Sequence, residues 1–235
     1  MEQKNNGGKT KYMGPDIVFE NVTKEYDNGV KALDSVSFSI NSGEFAFLMG
    51  HSGSGKSSLI KLLMLEERPT SGNIIVQGTN LADIKGANVP RFRRNIGVVF
   101  QDFRLIQSKT VYENIAFAME IIGSDRATIN KQVDIALELV GLKHKKHEKP
   151  NCLSGGEQQR VAIARAVVNL PGMIIADEPT GNLDPDNSVE IMQLLKKIND
   201  MGATVLIATH EDTIVKNLSQ RVIQLDHGVR QIGQE

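Results

Sequence analysis

The chain has 235 residues, of which 40% are apolar and 23% charged, with 7 prolines and a formal net charge of −1. That composition suits a globular protein with a sizeable core; it excludes a disordered or collagen-like chain and gives no overall pull toward nucleic acid. The single cysteine, Cys152, cannot form an internal disulfide, which favours a reducing compartment.

Residues 1–14 are polar, with Asn5-Asn6-Gly7-Gly8 and scattered lysines but no apolar signal-peptide core, and are expected to form a mobile tail. From Ile17 the pattern is β-type. Ile17-Val18-Phe19 leads to Tyr26, Asp27-Asn28-Gly29 turns the chain, Val36, Phe38 and Ile40 alternate with polar residues, and Asn41-Ser42-Gly43 closes the hairpin. A buried strand is expected over Phe45–Met49, then a glycine-rich loop and a helix over Ser57–Leu65. Apolar runs such as Phe45–Met49 fall far short of the ~20 residues that span a bilayer, so a membrane role is expected to run through a partner. Further strands are expected at Ile74–Val76, Ile96–Phe100, Met173–Ala176 and Thr204–Ala208. Between Phe103 and Val168 the periodicity is helical, at Val111–Ile122, Thr128–Val140 and Gly155–Val168. The pattern predicts one α/β domain over residues 15–235, with a core of 15–102 and 169–235 and a helical insertion over about 103–168. No repeat, heptad run or interdomain linker interrupts it.

Gly50-His51-Ser52-Gly53-Ser54-Gly55-Lys56-Ser57 fits the phosphate-loop pattern between a strand and a helix. Its glycines let backbone N–H groups close around phosphates, Lys56 would neutralise the β and γ phosphates, Ser57 would ligate Mg²⁺, and the helix start, Ser58 included, would face the same anion. Met173–Glu178 is an apolar strand ending in two carboxylates that alternation sends to opposite sides. Asp177 suits Mg²⁺, and Glu178 suits polarising an attacking water.

Leu153-Ser154-Gly155-Gly156-Glu157-Gln158 narrows the reading. Together with Gln101 after a strand, Asp177-Glu178, Gly181-Asn182-Leu183-Asp184 and His210, it resembles the motif set of the ABC transporter ATPases, in order, from Ile17 onward. The resemblance implies an α/β fold: a P-loop NTPase (RecA-like) core with an antiparallel β subdomain and an inserted α-helical subdomain. It implies ATP and Mg²⁺ as cofactors and a homodimer with ATP at the interface, in which Ser154, Gly155, Gly156 and Glu157 meet the γ-phosphate held by the other subunit. By the same resemblance Gln101 contacts Mg²⁺ and the attacking water, His210 reaches the γ-phosphate, Tyr26 stacks on adenine, and Asp184 lies near the opposite site unless it simply caps a helix before Pro185.

Val98–Leu105, Lys109–Asn114 and Ala176–Asp186 are similar to the FtsE branch of that family, with a departure at Ile106-Gln107-Ser108, where relatives often carry a leucine-proline pair. That branch implies an FtsX-like integral membrane partner, docked beside Gln101–Val111, other division proteins nearby, a place on the cytoplasmic face of the membrane, and control of peptidoglycan hydrolysis in cell division. A lipoprotein-release or macrolide exporter ATPase would share every ATP residue, and a nucleotide-dependent scaffold would share the fold. A DNA-repair ABC ATPase would need coiled-coil arms or clustered cysteines, which the chain lacks. Cys152 is expected to be an inert thiol, and Lys143-His144-Lys145-Lys146-His147 a solvated basic loop.

Overall fold

A computed structural model describes residues 14–231, so nearly all of the expected N-terminal tail lies outside the described residues. In chain order the first elements are β1 (Ile17–Glu25), β2 (Lys31–Ile40), β3 (Phe45–Met49), α1 (Lys56–Leu63), β4 (Ser71–Val76), β5 (Thr79–Asn80), α2 (Asn88–Arg93) and β6 (Ile96–Phe100). They are followed by α3 (Val111–Glu120), α4 (Arg126–Leu139), α5 (Gly155–Val167), β7 (Met173–Asp177), α6 (Pro185–Asp200), β8 (Thr204–Thr209), α7 (Asp212–Leu218), β9 (Arg221–Asp226) and β10 (Val229–Gln231). The described residues form two compact units, 14–89 with 210–231, and 90–209.

In the first unit, β2, β1, β4 and β5 form an antiparallel sheet in that order. Its inward positions are apolar because side chains alternate across a strand: Ile17, Phe19 and Val22 on β1 meet Val36, Phe38 and Ile40 on β2, with the Phe19 and Phe38 rings stacked at 4.6 Å. β3 is buried along its whole length and pairs in parallel with β9, which turns back into β10. A strand covered on both faces has no polar side, hence Phe-Ala-Phe-Leu-Met without alternation.

In the second unit, β6, β7 and β8 run parallel, with Phe100 opposite Asp177 and Asp177 opposite Ala208. This register brings the ends of β6 and β7 level, so Gln101 and Glu178 leave the sheet at the same edge, where parallel α/β sheets place their ligands. Helices α3, α4 and α5 share an apolar cluster that includes Val111, Ile115, Val133, Leu137 and Val161. Each begins on a side-chain cap: Thr110 with Glu113 for α3, Asp125 for α4, and Ser154 with Glu157 for α5. Asp125 explains why α4 starts at Arg126 rather than at the expected Thr128. Fully buried Asn114 accepts from Ile106 N–H and donates to the carbonyls of Ile106, Lys109 and Thr110, fixing the connection into α3. No helix among the described residues is long and apolar enough to cross a membrane.

Candidate functional site

The loop between β3 and α1 owes its shape to its backbone. Gly53 and Gly55 have φ of +79° and +104°, conformations that cost L-residues dearly. A Cβ at Gly55 would stand 2.4 Å from the Ala32 carbonyl oxygen, whereas one at Gly53 would have nothing within 4 Å. One glycine is needed for close packing; the other turns the loop where space is open. A Cβ at Gly50 would come within 2.3 Å of the Ser54 hydroxyl, which is buried beneath the loop, and the Ser54 N–H closes a turn onto His51 O. Ser54 therefore shapes the loop from below, while His51 and Ser52 are exposed.

Lys56 is buried, and its ammonium reaches back to donate to the carbonyls of Gly50 at 2.5 Å and His51 at 3.2 Å, holding the charge on the loop itself. Ser57 is exposed in the first turn of α1, and Ser58 Oγ lies 3.1 Å from the Tyr26 hydroxyl. Tyr26 is thereby tethered to the helix that follows the loop, with the Lys24 ammonium 4.8 Å from its ring centre. A glycine-shaped loop, a cation on it, a helix start and a half-exposed aromatic ring fit a nucleotide's phosphates and base.

In the second unit Gln101 follows β6 and packs on the segment after β7. Its carbonyl accepts from Asn182 Nδ2 at 2.9 Å, and a Cβ on Gly181 would come within 2.7 Å of Gln101 Nε2. Glu178 takes φ of +47°, and its N–H donates to Ala208 O at 2.9 Å, so the carboxylate sits on a backbone bent away from the strand path and pinned to β8. Fully buried Gln159 on α5 donates to Pro179 O at 2.7 Å, tying α5 to the residue after Glu178. His210 is exposed and directly follows β8.

The start of α5 is the third element. Ser154 is exposed and its hydroxyl accepts from Glu157 N–H, while Glu157 Oε2 accepts from Ser154 N–H at 2.9 Å. Glu157 Oε1 is paired with Lys145 at 2.8 Å. Lys145 first, then the Ser154 amide, hold the Glu157 carboxyl below the ordinary glutamate range. Gly156 is buried, and a Cβ there would come within 2.1 Å of Asn187 Oδ1. Asn187 in turn donates from its backbone and its side chain to Asp184, the cap of α6, and these bonds lower the Asp184 carboxyl. Within its own chain Asp184 is thus a helix cap, and the short segment Gly181–Asp184 is wedged between Gln101 and the α5 start.

Three supporting residues went unseen in the motifs: Lys145, Gln159 and Asn187. Lys145 and Gln159 bond partners on other elements, and the Gly156 that Asn187 covers lies on α5, so no local pattern marks these contacts. The Lys143–His147 run also differs from the expected solvated loop. Residues Lys143–Lys145 form a 3₁₀ turn, and Lys145 and Lys146 are half-buried, Lys146 bridging to Asp134 at 2.6 Å over the Tyr112 ring. Acidic residues on α4 and α5 draw these lysines inward.

The ABC transporter family profile matches residues 33–181. The chain belongs to the ABC transporter family. Over 212 residues it is 56% identical to the cell division ATP-binding protein FtsE of Streptococcus pneumoniae (strain D39), covering 90% of this chain and 92% of that protein. To the FtsE of Bacillus subtilis it is 52% identical over 213 residues, covering 91% and 93%. Its fold matches the dimeric, post-hydrolysis structure of the ATP-binding cassette MJ0796 bound to ADP and Pi, with a TM-score of 0.83 and 36% identity over 93% of this chain and 98% of that one. This ABC chain binds ATP and is an ATPase, and its P-loop fold is the one expected from the sequence.

Proposed function

We propose that the chain is the ATPase of a bacterial cell-division complex in which an FtsX-like integral membrane protein is its partner and control of peptidoglycan hydrolysis its output. The similarity to FtsE proteins over nine-tenths of the chain supports this reading. The protein acts as a head-to-tail homodimer on the cytoplasmic face of the membrane, as one ATPase domain over residues 15–235 with a helical subdomain over about 103–168. Gly50–Ser58 would hold the phosphates of ATP, Ser57, Gln101 and Asp177 would hold Mg²⁺, and Tyr26 would lie against adenine. The magnesium ion would neutralise the phosphates and hold them in line. Glu178 accepts a proton from the attacking water, and Gln101 and His210 orient that water and the γ-phosphate. Ser154, Gly155 and Gly156 of the partner subunit receive the same γ-phosphate, and Asp184 lies near the opposite site.

The observation that carries the dimer reading is that Ser154 is exposed at a helix start whose capping is already complete within its own chain, a donor-rich end suited to an outside anion. Docking of the membrane partner is supported by a groove of about 560 Å³ in the second unit. Its lining includes Phe100, Phe117 and Ile121 together with Arg93, Arg94 and Arg104, a surface for a short apolar segment carrying acidic residues. Co-purification of the tagged native chain from membranes, with identification of what comes with it, tests the proposal. An FtsX-like protein is expected, lost on Phe117→Asp while the isolated chain still hydrolyses ATP. Recovery of an exporter permease instead, or full retention by Phe117→Asp, would overturn the assignment.

A further inference from the structure

A carboxylate in the first turn of a helix stabilises the helix by using its positive end, and by the same token it competes with any phosphate that must dock there. Glu157 stands at that place in α5, the third helical residue, with one oxygen on the Ser154 amide. Left alone, its charge would oppose a γ-phosphate arriving at Ser154. It is not alone: Lys145 reaches its other oxygen at 2.8 Å, and the two side chains retain only 26% and 17% of their exposure. A pair withdrawn from water to that degree is screened less by salt than a surface pair. Lys145 arrives from the 3₁₀ turn Lys143–Lys145, whose capping residue Leu142 is packed in the apolar cluster of the three helices, so the ammonium is delivered from a fixed support.

We infer that Lys145 is a positioning residue for ATP-driven closure: it cancels the Glu157 charge and locks the Glu157–Ser154 capping box, so that the α5 start presents donors to the partner's γ-phosphate without a net negative charge. The inference rests on the reading that Ser154 docks that phosphate. Lys145 itself does not touch nucleotide. Its influence passes through Glu157, which makes the effect of removing it depend on what stands at residue 157.

The test is a double-mutant cycle in the full-length chain, following closure by light scattering as ATP is titrated with Mg²⁺, with Glu178→Gln as the background that stalls hydrolysis. Lys145→Met is expected to lower the closure constant about ten-fold, two sites each losing about three-fold for one uncompensated charge at a helix start, which with two ATP per dimer raises the half-saturating ATP about three-fold. The loss should deepen at low salt, and Lys145→Arg should restore closure. In a Glu157→Gln chain, adding Lys145→Met should change closure by less than about two-fold, a coupling that misfolding of the turn would not produce. An unchanged half-saturation in Lys145→Met, or an equal loss with Gln at 157, would overturn the inference. Ser154→Arg separates the two levels. Its failure to block closure would overturn the phosphate-docking reading and the role of Lys145 together; blocked closure alongside an inert Lys145→Met would overturn the role of Lys145 alone.

Discussion

Around Gly50–Lys56 the backbone itself makes the shape, through Gly53 and Gly55 at φ of +79° and +104° and a lysine that bonds the loop's own carbonyls. At Ser154–Glu157 the backbone is an ordinary helix start, and side chains do the arranging: Glu157 on the Ser154 amide, Lys145 on Glu157, and Asn187 over Gly156. Both segments are proposed to offer N–H groups to an anion. The first makes its turns and its lysine bonds within seven consecutive residues, whereas the second borrows from α6 and from the turn before α5. A self-contained loop should therefore fail outright when one member is lost, and a braced one should fail by degrees and be repairable at a distance.

The sharpest break is expected at Lys56→Ala, which removes the one cation that the loop holds and should weaken ATP binding by about a hundred-fold or more, since charge-assisted bonds to phosphate are the strong ones. Equilibrium binding to the folded variant reads this directly, and near-native affinity would remove the loop from the site. A smaller, repairable loss is expected on the braced side. Gly156→Ala drives a Cβ to within 2.1 Å of Asn187 Oδ1 and 2.6 Å of its Cγ, so the Asn187 side chain must give up its bond to Asp184 to make room. Closure should weaken about ten-fold, in the usual range for a tight but yielding contact, and recover substantially in Gly156→Ala with Asn187→Ala. Titrating ATP against dimer mass in both variants checks it, and an unrepaired loss in the double variant would mean that the clash lies elsewhere.

The same contrast explains how much could be read from the sequence. The phosphate loop, the apolar strand up to Asp177 and the start of α5 were legible because glycine-rich turns, apolar runs and helical periodicity are local, whereas Glu178 leaves the strand at φ of +47° and escapes the alternation expected of it. Strands β3, β6, β7 and β8 were expected within one residue, whereas β4 starts three residues before the expected Ile74 and the two-residue β5 was not expected. The start of α6 has a local signal in Asp184 and Pro185, a cap and a favoured first helical residue, but it falls inside a motif with a second meaning. Helix α7 and strands β9 and β10 are short and patterned weakly; β9 owes its place to pairing with β3, which lies some 175 residues earlier. Lys145 read as one member of a basic run because its partner, Glu157, is twelve residues on and its burial depends on how α3, α4 and α5 pack.

The claim at the centre of this account is that each γ-phosphate is shared between Lys56 of one subunit and Ser154 of the other, and is released only when Glu178 activates water. Replacing Glu178 with Gln keeps the side chain's size and removes the base, so binding and turnover should part company. Light scattering of the Glu178→Gln chain with Mg²⁺ and ATP, run beside a phosphate-release assay, is the direct test. The account predicts hydrolysis slowed by at least about a hundred-fold, the scale of losing a positioned base, and a particle of twice the chain's mass that persists while ATP is present. A variant that hydrolyses at the parent rate, or one that is saturated with ATP yet keeps the mass of a single chain, would contradict it.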